Sequence, residues 1–195
     1  MSTRGVFGFR IDETDKLAYA SCDAGPIILG KEILSYISKN SLENMIKRSR
    51  ELKLVEKELP FDFDNEILGK RDVTEIVDAR SYLYNRQCEW AYIINLDSSK
   101  LEVHSARERL DYNPQGRYVV KTNPPQYNGA ALIYEAPFST IHLHSIDHHI
   151  KNIRTASDAR FYLTVSLRKL EKEYVTEERV LVSNEPWFKR FLKLF

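Results

Sequence analysis

A hydroxyl residue, Ser2, directly follows the initiator Met1. Once Met1 is removed, such a residue carries nucleophile and base together: its side chain attacks, and its own α-amine takes the proton. A second group able to do chemistry lies far along the chain. Four of the five histidines fall within His142-Leu-His144-Ser-Ile-Asp147-His148-His149. If this stretch is a strand, His142 and His144 share one face. Neutral imidazoles ligate transition metals, and Asp147 can ligate or orient one of them. His142, His144 and His148 are therefore a candidate set for zinc or another transition metal. The spacing does not match His-x-His-x-Asp-His, because one residue too many separates His144 from Asp147, and His-Glu-x-x-His is absent. A solvated strand end, or a metal-free ligand or proton-transfer role, stays open beside the metal.

Other motifs are weaker. Asp62-x-Asp64-x-Glu66 opens like a calcium loop, but Ile67 and Val73 stand where the Gly and the final Glu are needed. Gly5-x-x-Gly8 lacks the third glycine of a dinucleotide site. Tyr82, Tyr84, Trp90 and Tyr92 lie near Arg80 and Arg86, but no basic stripe accompanies them, so they read as core and no nucleic acid is expected.

The elements that must hold these residues are legible as patterns. Val6 to Ile11 and Lys16 to Ala20 read as a hairpin around a four-residue turn, Asp12-Glu13-Thr14-Asp15. Leu29 to Ser38 reads as a helix. Asn40 with Glu43 caps a second helix to about Leu52, and Lys53 to Glu58 extends it or forms a short strand. Asp72 with Glu75 predicts a helix through about Arg86. Cys88 to Leu96 and Lys100 to Ser105 form a hairpin across Asp97-Ser98-Ser99. Asp111 to Gly116 reads as a turn, and Arg117 to Lys121, Ala130 to Glu135 and Thr140 to His144 as strands. Ile153 to Tyr174 is a long helix, Arg179 to Val182 a strand, and Glu185 to Phe195 a basic amphipathic helix. The class is α+β, with antiparallel sheets and packed helices. A single domain over 1–195 is expected, with 29–86 as a candidate helical insertion.

The chain has 195 residues, 43% of them hydrophobic and 29% charged, with a formal net charge of +1. That length buries a sizeable core. Near-neutrality gives no field that gathers nucleic acid, membrane or acidic partners. Two cysteines, Cys22 and Cys88, make no disulfide framework. No run approaches the ~20 apolar residues of a membrane span, so a cytoplasmic protein with reduced thiols is expected. The run Trp187 to Phe195 has a wide apolar face broken by Lys and Arg. It suits docking on its own domain, on a twin subunit or on a protein partner more than on a membrane surface.

The pattern Ser2-Thr3-Arg4-Gly5-x-x-Gly8-Phe9, then Lys16-x-x-Tyr19, Asp23, Pro26 and Leu29-Gly30, resembles a set of bacterial and phage proteins that begin Cys-Thr-Arg-Gly. Cys88-Glu89-Trp90-Ala91-Tyr92-x-x-Asn95-Leu96-Asp97 and Leu101-Glu102-Val103 resemble the same set. Its opening is similar to that of N-terminal nucleophile hydrolases of the choloylglycine and penicillin V acylase kind. The resemblance implies a four-layer αββα sandwich. It implies Ser2 as nucleophile, Asp23 as the carboxylate that orients the amine, and Asn95 as an oxyanion donor, with no cofactor. Ser2 replaces the family's cysteine. Ala20-Ser21-Cys22 replaces both the Arg before the Asp and the Asn-His-Phe run. Those changes fit a member that has lost hydrolysis and binds or regulates instead. An active amidohydrolase using Ser2 is the alternative.

Overall fold

The computed structural model describes residues 3–55, 74–84, 88–106, 115–122 and 126–158. A five-stranded sheet organises them, built from β1 (Gly5–Ile11), β2 (Thr14–Ala20), β5 (Trp90–Asn95), β6 (Lys100–Ser105) and β9 (Ala131–Pro137). Its order is β2-β1-β5-β6-β9. All pairs are antiparallel except β1 with β5. Two short ladders accompany it: β3 (Lys53–Val55) runs parallel to β4 (Glu75–Val77), and β7 (Val120–Thr122) antiparallel to β8 (Gln126–Asn128). The α+β class holds, and the parallel β1–β5 pair is an addition to the expected hairpins. It arises because the chain leaves β2, crosses through helices, and returns beside β1 on its other edge.

The two faces of the sheet differ. On one, Phe7, Phe9, Trp90, Tyr92, Ile94, Leu101 and Val103 are buried against helices. These are α1 (Lys31–Lys39), α2 (Leu42–Glu51), α3 (Phe138–Leu143) and α4, residues 146–158. Ile33, Leu34 and Ile37 give α1 its apolar stripe. Lys16 reaches from β2 to the end of α2, where its Nζ donates to the Ser49 and Leu52 carbonyls at 2.8 Å each. A cation there meets the negative end of the helix dipole. On the other face Val6, Leu17, Ala91 and Ile93 meet Ala79, Leu83, Cys88, Tyr118 and Ala130. Tyr82 stacks on Tyr19 at 4.5 Å, half-buried, and Trp90 and Tyr92 are buried as the core reading expects, but Tyr84 is exposed.

Several local expectations are corrected by long-range contacts. The β1–β2 turn has two central residues, Asp12 and Glu13, at φ 50° and 59°. Thr14 and Asp15 already pair with Ile11 and Arg10. Asp97 makes the tight turn workable, since its carboxylate accepts the Asp12 and Glu13 N–H groups at 2.8 and 3.0 Å. Removing that acceptor by Asp97→Ala is expected to lower stability by about 1–2 kcal/mol, as for other charge-assisted hydrogen bonds. Urea denaturation checks this, and an unchanged midpoint would show that water serves the turn equally well.

Helix α2 is capped by Ser41, whose Oγ accepts from the Asn44 N–H at 3.2 Å. Asn40 is already used to end α1, donating its amide to the Tyr36 carbonyl at 2.8 Å. The helix expected after Asp72 is instead β4 and a 3₁₀ turn at Arg80–Leu83, with Asp72 itself outside the described residues. Burial of Ile76 and Val77 against β3 outweighs the capping-box signal there. Thr140 to His144 is not a strand. Phe138 and Ile141 are buried three residues apart while Leu143 is 77% exposed, so the period is helical. Helix α4 begins before the expected Ile153. Residues 159–195, the acidic segment 56–73 and most of the turn before Gly116 lie outside the described residues.

Candidate functional site

Thr3 and the loop after β2 meet at one end of the sheet. The Thr3 carbonyl accepts the Ala24 N–H at 3.1 Å. Gly5 permits this closeness, because a Cβ there would lie 2.6 Å from the Ala24 Cβ. Asp23 adopts a left-handed backbone, φ 55°, and its carbonyl accepts from Leu29 at 3.3 Å. Asp23 thus precedes a wide π turn, Pro26–Gly30, in which the Gly30 N–H donates to the Gly25 carbonyl at 3.3 Å and which runs straight into α1. Such turns recur at functional sites. The Asp23 side chain is exposed and has no hydrogen-bond or ion-pair partner among the described residues. Cys22 beside it is exposed, as are Ile27 and Ile28. Gly30 closes over Tyr92, whose buried hydroxyl has no hydrogen-bond partner among the described residues. Ser2 lies outside the described residues, and its described neighbour Thr3 is the residue bonded to this loop.

Asn95 is elsewhere. Gly5 pairs with Trp90 and Arg10 with Asn95, so Asn95 sits five residue steps along the strands, about 17 Å away at ~3.3 Å per residue. Its Nδ2 donates to Glu102 Oε1 at 2.6 Å, and its Oδ1 accepts from the Ser98 N–H at 3.1 Å. The structure does not bring Asn95 to Asp23.

The histidines gather differently from the expected set. His142 is exposed on α3, and the ring contacts join His144, His148 and His149 instead. Among the described residues no group of three or more His, Cys, Asp or Glu side chains is placed to hold a metal ion. His149, buried against β9, has both ring nitrogens engaged, one with the Tyr134 hydroxyl at 2.7 Å and one with the Thr140 carbonyl at 3.3 Å.

A third cluster, on the sheet face away from the helices, escaped the sequence reading. Asp15 accepts from Arg10 at 3.1 Å and from the Tyr118 hydroxyl at 2.8 Å. Glu102 accepts from Asn95, from His104 at 3.2 Å and from Arg117 at 2.5 Å. Arg117 also lies over the Tyr118 ring at 4.8 Å. Burial pushes the Glu102 carboxyl up, but hydrogen bonds from His104 and Asn95 and the Arg117 charge outweigh it and hold the group at about 2. Burial pushes His104 down despite Glu102, so its imidazole is neutral and donates through Nε2. Alternation within Lys100 to Ser105 puts Glu102 and His104 on one face, a signal readable in the sequence. With its charges paired internally, the cluster reads as a lock between the sheet and the 115–118 segment. Cys88 is inert chemically, since burial pushes its thiol up to about 12.

Compared with known protein families, with curated proteins and with solved structures, the chain matches none of them.

Proposed function

We propose that the chain is an N-terminal nucleophile hydrolase-like protein whose working site is the corner of Thr3 and the Asp23 loop, and that it binds a ligand or partner there without turning it over. The observation that carries the reading is the Ala24–Thr3 hydrogen bond, which ties the neighbour of Ser2 to the neighbour of Asp23. A nucleophile hairpin with an acid just after its second strand needs that juxtaposition. In this reading the five-stranded sheet is one of the two sheets of an αββα sandwich. The loss of turnover is supported by Asn95. The residue implied as oxyanion donor is about 17 Å distant by strand rise, with both ends of its amide committed. An acyl transfer without a donor at the developing oxyanion forfeits a large part of its stabilisation.

The test starts with intact mass, which is expected to show Met1 removed. Acylation of the α-amine at limiting reagent then follows. Asp23→Asn is expected to raise the labelling rate at pH 7 by about fivefold, because a nearby carboxylate worth about 1 kcal/mol no longer holds the amine protonated. A panel of simple acyl amides is expected to show no hydrolysis above buffer. Retained Met1, or labelling indifferent to Asp23→Asn, overturns the assignment of the site. Turnover abolished by Ser2→Ala overturns the binding reading and establishes the amidohydrolase.

A further inference from the structure

Among the described residues, Leu42, Tyr84, Val120 and Leu143 are large apolar side chains exposed one at a time. Single ones are ordinary on a protein surface. Ile27 and Ile28 differ, being adjacent in the chain and 61% and 47% exposed. Pro26, Leu29 and Gly30 take the buried positions of the π turn and leave both isoleucines outward. Beside them Asp23 is exposed, with no hydrogen-bond or ion-pair partner among the described residues. Lys31 and Glu32, next along the chain, are both exposed and offset each other in charge. Arg4 acts on Tyr19, on the sheet face away from the helices. The corner is therefore an apolar step with an unpaired carboxylate at its edge. Its complement is apolar and cationic.

The chain carries a segment of that chemistry. Trp187-Phe-Lys-Arg-Phe-Leu-Lys-Leu-Phe195 holds six apolar residues, three cations and no acid. It lies outside the described residues, which end at Asp158. The intervening 159–186 can span at most ~90 Å at ~3.3 Å per residue, and ~40 Å if wholly helical. A domain of this length has a radius of gyration of about 16 Å, so either span reaches the corner. Tethering also favours this occupant over a separate one. An intramolecular contact meets an effective concentration of order millimolar, enough to populate a contact of two isoleucines and one carboxylate.

We propose that Trp187–Phe195 docks on this corner of its own chain, with aromatic rings over Ile27 and Ile28 and a cation beside Asp23, and so occludes the site until a ligand displaces it. The proposal stands on exposed residues and does not depend on the role of Ser2. Cys22, exposed next to Asp23, is the reporter, since Cys88 is fully buried. Alkylation of the native full chain by neutral iodoacetamide reads its cover. Trp187→Ser/Phe191→Ser is expected to speed the reaction at least fivefold, and Ile27→Ser/Ile28→Ser similarly. Combining the two pairs is expected to add less than twofold, because both remove one contact. A wild-type rate equal to that of Trp187→Ser/Phe191→Ser, or multiplying effects in the combined variant, overturns the proposal. So does a wild-type rate that falls as protein concentration rises, which assigns the corner to a second copy. If a variant does not fold, carbodiimide cross-linking of the wild type decides. A zero-length link from Asp23 to Lys189 or Lys193 is expected, within single chains when isotope-labelled and unlabelled protein are mixed. Links between labelled and unlabelled chains, or no such link, overturn the docking. A link from Asp23 only to the Ser2 α-amine overturns it too, while leaving the proposed site standing.

Discussion

Glu102→Ala is expected to destabilise the protein by about 3–5 kcal/mol, the usual result of removing one partner from a buried ion pair. Three donors lose their acceptor together: Asn95 Nδ2, His104 Nε2 and the Arg117 guanidinium. The Arg117 side chain, 29% exposed, can turn to water. Asn95 and His104 are 6% and 1% exposed and cannot, so they carry most of the loss. Urea denaturation at pH 7 measures it, and a loss under 1 kcal/mol would show that the network is incidental. The same carboxylate sets an acid limit. Its folded value of about 2 lies below the ordinary 4.5. The stabilisation is therefore complete above 4.5 and is lost as pH falls from there toward 2. At ~1.36 kcal/mol per unit the difference is about 3 kcal/mol, and solvent screening around Arg117 reduces it to about 1–2. Glu102→Gln is expected to flatten that part of the stability–pH curve, which denaturation between pH 2.5 and 6 would reveal.

Gly8→Val is expected to abolish folding, a loss of more than about 4 kcal/mol. Gly8 lies in β1 between Leu17 of β2 and Ile93 of β5, at φ 154°. A Cβ there would stand 2.1 Å from the Lys16 carbonyl oxygen and 3.2 Å from the Leu17 Cα. Both obstacles are backbone in a paired strand, so neither moves without opening the ladder. Gly25→Ala is the control, because its nearest neighbour, Thr3 Oγ1, is 3.9 Å from the added atom. Soluble expression and circular dichroism distinguish the two, with Gly25→Ala expected to match wild type. A folded Gly8→Val would show that β1 and β2 can separate locally.

The β5–β6 hairpin was legible because everything that specifies it is local: an apolar run, a polar turn that takes in Leu96 as well as Asp97-Ser98-Ser99, and an alternating return. The β1–β2 pairing was legible for the same reason, but its turn was not. Positive φ at Asp12 and Glu13 depends on a carboxylate 85 and 84 residues away. Strand β4 and helix α3 ran against expectation because a capping box and an alternation over Thr140 to His144 alone are weak against tertiary burial. Of the candidate site, the approach of Thr3 to the Asp23 loop agrees with the hairpin reading. The distance of Asn95 does not follow from its spacing, since β5 pairs with β1 in parallel and sends its last residue to the far end. The charged cluster stayed hidden because Arg10, Asp15, Glu102 and Arg117 come from four separate segments and meet only after the sheet assembles.

All six residues of β5 are buried, on both faces of the sheet. Hydrophobicity alone therefore gives this strand no preferred side, the condition under which strands slip. A shift of one residue would exchange Ile94 with Asn95, turning the amide among the aromatics and taking from Glu102 one of its hydrogen-bond donors. The polar end of β5 thus works as a key, admitting the strand in one register and rejecting the neighbouring one during assembly.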